Sequence, residues 1–146
     1  MARGIRLEAA SHEIPEGAVP MAVPVYVRLR NALRASERIV ARRDPEAGFH
    51  DAETKSAVLR SILERAHVLP LGERAIVGSH LRVRYVDGDS ARYELVVPTE
   101  VDTEAGRISF ESPVGAALMG TRAGDEVEVV TPAGARRLQV RSVYHR

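Results

Sequence analysis

Apolar side chains in the first half of the chain recur at intervals of three and four residues, the spacing of one face of a helix. Residues 25–42 keep this spacing throughout and contain no glycine or proline. The positions of this stripe, which fit the a and d sites of a two-helix coiled coil, are Tyr26, Leu29, Leu33, Ser36 and Val40. The pattern therefore predicts a helix over residues 25–42 that packs against a second helix.

A second apolar stripe over residues 52–68 supplies the partner for that helix. Its positions are Leu59, Ile62, Leu63 and Ala66. A loop over residues 43–50 joins the two stripes, and two N-caps compete near it, Asp44 and Asp51. Gly48 interrupts the first choice, so we favour the second. The two stripes then face each other in a short antiparallel helical hairpin.

Downstream of the hairpin, apolar and polar residues alternate, as in strands with one buried face. The predicted strands cover residues 80–86, 92–97, 107–110, 126–130 and 136–143. Ser112 and Pro113 match an N-cap followed by proline at the first helical position, and Gly120 ends this short helix. The sequence thus predicts an α+β fold: a coiled-coil hairpin over residues 25–70, followed by an antiparallel-sheet domain over residues 76–146 with one short helix.

The segment before the hairpin, residues 1–24, shows no regular pattern. Ile5 and Leu7 favour a short strand, but proline and glycine recur through the rest of the segment. We expect an irregular N-terminal arm.

Composition argues against several classes of function. The 146 residues carry a net charge of +1, which argues against a general binder of nucleic acid or membrane surfaces. The absence of cysteine excludes disulfides and thiolate metal sites. No apolar run approaches the roughly 18 residues of a membrane span, and the N-terminus lacks the apolar core of a signal peptide. We expect a cytoplasmic, monomeric protein with no membrane partner and no sequence-specific nucleic-acid binding.

Patterns typical of enzyme active sites are also missing. The histidines show no metal-ligand spacing, and neither a nucleophile elbow nor a phosphate-binding loop occurs. The sequence therefore predicts no catalytic residue, no metal site and no cofactor, and we do not expect an enzyme.

One segment of the second half matches a known family pattern without a gap. The matching residues are Gly106, Ile108, Ser109, Ser112, Pro113, Ala117, Leu118, Gly120, Gly124, Asp125, Pro132, Gly134 and Val140. In this register the chain resembles the C-terminal domain of the bacterial Gre transcription-factor family, which includes GreA, GreB and the shorter relative Rnk. The resemblance covers about residues 76–144 firmly and residues 20–70 loosely. It implies an FKBP-like α+β domain without implying peptidyl-prolyl isomerase activity.

The resemblance also implies a partner and a docking segment. In the family, the matching short helix docks on RNA polymerase at the mouth of the secondary channel. The residues to which this implies a polymerase-binding role are Ser112, Pro113, Val114 and Met119. Val114 and Leu118 fit a role in the protein core equally well, so both interpretations stay open for this segment. An exposed Met119 would favour docking, because methionine suits adaptable contacts.

The hairpin tip departs from the family. Family hairpins enter the channel and present two acids, in the pattern D-x-x-E-N, that help to hold a metal ion at the polymerase active centre. The acids around this tip are Asp44, Glu46, Asp51 and Glu53, and no register restores the family pair. The first helix, about 18 residues or roughly 27 Å long, implies a tip roughly 15 Å short of those of the cleavage factors.

These departures predict an RNA-polymerase-binding transcription factor that modulates elongation at the secondary channel without stimulating RNA cleavage. Two alternatives stay open. The first is a transcript-cleavage factor whose displaced acids still reach the active-site metal. The second is an Rnk-like regulator with a different protein partner.

Overall fold

The computed structural model describes residues 15–43, 48–70 and 72–145, which form a helical hairpin and a sheet domain. The predicted α+β fold is confirmed. None of the helices within these ranges has both the length and the apolar surface that a membrane span requires.

The hairpin consists of α1 (Val23–Arg42) and α2 (Phe49–Glu64). Helix α1 begins two residues before the predicted boundary. Pro24 lies in its first turn, where a backbone N–H has no helical partner to lose. Arg43 ends the helix in the left-handed conformation, with φ of 50°, and donates its N–H to the carbonyl of Val40.

Two predicted boundaries are wrong, and both errors have one cause. Residues Ala66–Leu69, predicted as the end of the second helix, form strand β2. Residues Val19–Ala22, predicted as part of an irregular arm, form strand β1, which is buried throughout and pairs with β2 in parallel. Each short strand is stabilised by the other, which no local pattern reveals. The predicted strand at Ile5 and Leu7 lies outside the described residues.

The sheet domain contains five strands in the order β5-β4-β3-β7-β6. The strands are β3 (His80–Tyr85), β4 (Ser90–Val96), β5 (Arg107–Ser109), β6 (Glu126–Thr131) and β7 (Gly134–Tyr144). All neighbours pair antiparallel except the short edge strand β5, which runs parallel to β4. Helix α3 (Pro113–Leu118) covers the inner face of this sheet through Leu118, which is fully buried.

The described residues contain two apolar clusters. The first lies between the hairpin and β1, with Met21, Leu29 and Leu59 at its centre, and Val97 of the sheet domain belongs to it. The second lies between the sheet and α3. Of the predicted seam, Leu29 and Ser36 are buried, whereas Tyr26, Leu33 and Val40 are half-buried. The hairpin is therefore packed most firmly near its base, where it meets the sheet domain.

Candidate functional site

The first candidate site is the segment from β5 through α3. The Ser112 hydroxyl accepts a hydrogen bond from the Gly115 N–H at 3.1 Å and donates one to the Ser109 carbonyl at 2.7 Å. It therefore caps the helix and ties it to the end of the strand, as the Ser-Pro pattern predicts. The cap uses the single O–H donor and one acceptor position of the hydroxyl, so Ser112 acts chiefly on the shape of this segment.

Gly115 determines how closely α3 approaches the strand. A Cβ atom at this position would overlap the carbonyl oxygen of Ser109. Because that oxygen belongs to the backbone, the overlap could be relieved only by moving the helix. The sequence pattern did not single out Gly115, since nothing local marks a glycine inside a helix as a contact point.

The proposed docking residues divide between surface and core. Pro113 is exposed, and so is Ala116 on the next part of the helix. Val114 is half-buried against the second apolar cluster. Met119 is half-buried and packs against both clusters, so it is not the exposed methionine that would favour docking. The surface that α3 offers to a partner therefore centres on Pro113 and Ala116.

An ion pair that the sequence pattern missed ties the hairpin to the sheet domain. Arg28 on α1 contacts Glu100 in the 3₁₀ turn Pro98–Glu100, with Nε–Oε2 at 2.7 Å and Nη2–Oε1 at 2.9 Å. The hydrogen bonds that the Arg28 guanidinium donates to Glu100 are the largest cause of its raised pKa. The contact spans 72 residues of sequence, and only the folded chain brings the two groups together.

The hairpin tip is the second candidate site. Asp51 and Glu53 are both exposed in the first turns of α2. Glu53 borders a depression of about 500 Å³ whose other lining residues are Val40, Arg43, Phe49 and His50. The remaining predicted tip acids, Asp44 and Glu46, lie outside the described residues.

The two described acids point away from each other. Side chains two positions apart on a helix do not face one another, so Asp51 and Glu53 cannot both reach one ion from this helix. Within residues 15–43, 48–70 and 72–145, no group of three histidine or acidic side chains is placed to hold a metal ion. What the described tip offers is an acidic first turn beside a partly apolar depression.

Comparison with known proteins connects both sites to one family. The family model for the transcription elongation factor GreA/GreB C-terminal region matches residues 72–145. The transcription elongation factor GreA of Chloroflexus aurantiacus is 35% identical over 135 residues, which cover 81% of this chain and 86% of that protein. GreA of Sphingopyxis alaskensis is 37% identical over 93 residues, which cover 61% of this chain and 54% of that protein.

The chain spans only part of several of these relatives. It covers 54%, 65% and 59% of the GreA proteins of Sphingopyxis alaskensis, Allorhizobium ampelinum and Azorhizobium caulinodans. Among solved structures, the GreA/GreB factor of Nitrosomonas europaea is 26% identical with a TM-score of 0.48, covering 87% of this chain and 99% of that one. GreA factor homolog 1 of Thermus thermophilus is 26% identical with a TM-score of 0.43 and the same coverage.

Proposed function

Because the chain belongs to the GreA/GreB family of transcription elongation factors, we propose that it binds bacterial RNA polymerase at the entrance of the secondary channel. There it modulates elongation without stimulating transcript cleavage. We further propose that it acts as a monomer in the cytoplasm, where the polymerase works, and that it is not itself an enzyme.

The observation that carries the non-cleaving role is the geometry of the tip. A metal ion shared with the polymerase needs carboxylate oxygens that converge on one point. Asp51 and Glu53 diverge around α2, and Glu53 borders the depression beside Arg43, whose positive charge disfavours a cation there. The family pair of acids is also missing from the sequence around Asp44 and Glu46. Neither feature supports a completed metal site.

The length of the hairpin supports the same role. Helix α1 has 20 residues, which span about 30 Å at the rise of an α-helix. Its base is fixed by β1 and by the Arg28–Glu100 ion pair, so the tip cannot extend further by sliding along the sheet domain. A factor of this length occupies the channel but presents its acids short of the position that the resemblance implies for cleavage factors.

The docking surface is the exposed side of α3. Pro113 and Ala116 are available to a partner, whereas the Ser112 cap and Gly115 maintain the shape of the segment behind them. The Gre resemblance includes Ser112, Pro113, Ala117 and Leu118 of this segment, and the arrangement leaves its outer side accessible. A polymerase bound here would receive the hairpin in a fixed direction.

Co-purification tests the proposed partner. Tagged full-length protein should retain bacterial RNA polymerase core enzyme on an affinity resin, and an Ala116→Glu variant should retain less. Retention of another protein with no polymerase would favour the Rnk-like alternative. Binding to polymerase together with shortening of backtracked RNA would favour the cleavage alternative.

A further inference from the structure

The outer face of the C-terminal sheet, on the side opposite α3, carries a cluster of arginines that the polymerase-binding role does not use. Burial alternates along β3: Leu81, Val83 and Tyr85 are buried towards α3, and Arg82 and Arg84 are exposed on the other side. This strand lies at the centre of the sheet. The cluster is therefore not confined to an edge or a mobile turn.

Neighbouring strands add two more arginines to the same face. Arg92 of β4 stands directly opposite Arg82 in the antiparallel register. Arg84 stands opposite Gln139 of β7, and Arg141 reaches the same Gln139 through a 3.2 Å hydrogen bond from Nη1 to Oε1. We call the exposed residues Arg82, Arg84, Arg92 and Arg141 the arginine patch.

The arginine patch carries positive charge that the described residues do not pair. In the part of the chain that the structure describes, none of its four side chains makes an ion pair. Two acids of the same face are engaged elsewhere, Glu94 with Arg107 at 3.7 Å and Glu128 with Arg137 at 3.6 Å. Arg82 instead lies 5.9 Å from the ring centre of Tyr144, a neutral partner.

This arrangement works against the stability of the sheet. Like charges directly opposite each other on neighbouring strands repel, and an opposite pair at the same site would be favourable. Arg82 and Arg92 occupy such a directly opposed pair. A surface that costs stability and has no ion-pair partner among the described residues favours an anionic ligand from outside.

The spacing of the arginine patch indicates the kind of anion. Opposed side chains lie about 5 Å apart across the strands, and alternate side chains lie about 7 Å apart along a strand. A phosphodiester backbone supplies charges at a comparable, regular density. Protein interfaces also enrich arginine, but together with aromatic side chains and methionine around an apolar core. The four residues of the patch include no such apolar side chain, and the exposed valines nearby lie at its margin: Val86, which lines the same depression as Arg84, and Val130 on the edge strand β6.

The margin of the patch favours a single strand over a duplex. The ring of Tyr144 stacks on that of His80 with centroids 5.4 Å apart, next to Arg82. Aromatic rings at the border of a basic surface can stack on bases, which only an unpaired strand presents. At the other end, a depression of about 320 Å³ is lined by Arg84, Arg137 and Gln139 together with Glu126, which stands opposite Gln139. We propose that the arginine patch binds single-stranded nucleic acid through its phosphates, without reading its sequence.

This site is separate from α3 and does not conflict with the small net charge of the chain, because the attraction comes from a local patch. Phosphate contacts carry no sequence information, so the expected absence of sequence-specific binding is unaffected. RNA and single-stranded DNA share the phosphodiester chemistry that the patch recognises.

Fluorescence anisotropy with labelled uridine and deoxythymidine dodecamers tests the proposal on the full-length protein. Replacing both opposed arginines, Arg82→Gln with Arg92→Gln, should weaken binding about tenfold at moderate salt. It should also lower the slope of log affinity against log salt by about 1.4, since each lost contact to a single strand contributes about 0.7. The matched control, Arg34→Gln with Arg38→Gln on the exposed side of α1, should leave both quantities unchanged.

The variant is expected to fold, because it removes a repulsive pair, and thermal unfolding checks this directly. Binding of either dodecamer that the variant weakens supports the proposal, and the tighter dodecamer shows whether the patch prefers RNA or single-stranded DNA. Equal binding by wild type and variant would overturn it. A polyglutamate chain that binds more tightly than either oligonucleotide would point to an acidic protein partner instead, and a preference for duplex would exclude a single strand. The same variant should still retain RNA polymerase on the affinity resin. A failure of this proposal can then be told apart from a failure of the proposed function.

Discussion

The guanidinium of Arg28 contacts both carboxylate oxygens of Glu100 and so joins the hairpin to the sheet domain. The Glu100 side chain is only 17% exposed, whereas Glu37, which pairs with Arg60 within the hairpin, is 49% exposed. A two-pronged, partly desolvated pair contributes more than a single contact in water. This pair therefore helps to set the direction in which the hairpin leaves the sheet domain.

A double-mutant cycle measures that contribution. The variants Arg28→Gln and Glu100→Gln, alone and combined, should give a coupling free energy of about 1 kcal/mol from chemical unfolding, after allowance for solvent screening at the exposed Arg28. The same cycle on Arg60 and Glu37, whose closest contact is 3.5 Å, should give a value near zero. Equal coupling in the two cycles would contradict the role assigned to Arg28.

The hairpin seam should show a gradient of stability from base to middle. Leu59 is fully buried in the first apolar cluster, so Leu59→Ala should lower the free energy of unfolding by about 3 kcal/mol. Leu33 is only half-buried, and Leu33→Ala should cost about 1 kcal/mol. Urea unfolding of both variants checks the order. A larger loss for Leu33→Ala would place the centre of the seam further from the sheet domain than described.

The sequence predicted the two helices of this seam because periodicity is local and strong. It could not predict strand β1 at Val19–Ala22 or strand β2 at Ala66–Leu69, because each is stabilised by a partner distant in sequence. The local pattern of Ala66–Leu69 resembles the end of a helix. The Arg28–Glu100 pair was missed for the same reason.

The start of helix α3 was predicted from Ser112 and Pro113, and the capping bond from the Gly115 N–H to the Ser112 hydroxyl follows that pattern. The core role of Met119 was not predictable, since it depends on where the two apolar clusters meet.

Close packing of α3 gives a further prediction about stability. Gly115→Ala should lower the free energy of unfolding by more than about 2 kcal/mol, because the added methyl group overlaps the backbone of Ser109. Gly124→Ala, the matched control, meets no atom within 4 Å but has φ of 95°, so it should cost about 1 kcal/mol through backbone strain. If Gly115→Ala lowered the free energy of unfolding by no more than Gly124→Ala does, α3 would have to be able to move away from the strand without a loss of stability.

Docking through α3 predicts a selective loss of polymerase affinity. Ala116 is exposed, so Ala116→Glu should fold normally and weaken binding to RNA polymerase by about tenfold through an unpaired carboxylate in the interface. Val130→Glu, at a site 70% exposed on the edge strand β6, is the control and should bind as wild type. Surface plasmon resonance on immobilised polymerase measures both. Unchanged binding by the folded Ala116→Glu protein would remove α3 from the interface.

Charge at the tip predicts a regulatory effect without cleavage. Carboxylates inside the channel repel incoming nucleotide phosphates without completing a metal site. Wild-type protein should therefore slow nucleotide addition. The double variants Asp44→Ala with Glu46→Ala, and Asp51→Ala with Glu53→Ala, should slow it less while binding polymerase equally well. Identical slowing by wild type and both variants, measured as single-nucleotide extension rates, would indicate a purely steric plug.

The most direct test of the central claim uses stalled, backtracked elongation complexes of RNA polymerase in the presence of Mg²⁺. Full-length protein is added, and RNA length and subsequent extension are followed on a sequencing gel. We predict that the RNA keeps its length, as without the factor, while nucleotide addition slows. Mg²⁺-dependent shortening of the RNA that is lost in either tip variant would contradict the account, because it would show that this shorter hairpin places its acids at the active-site metal.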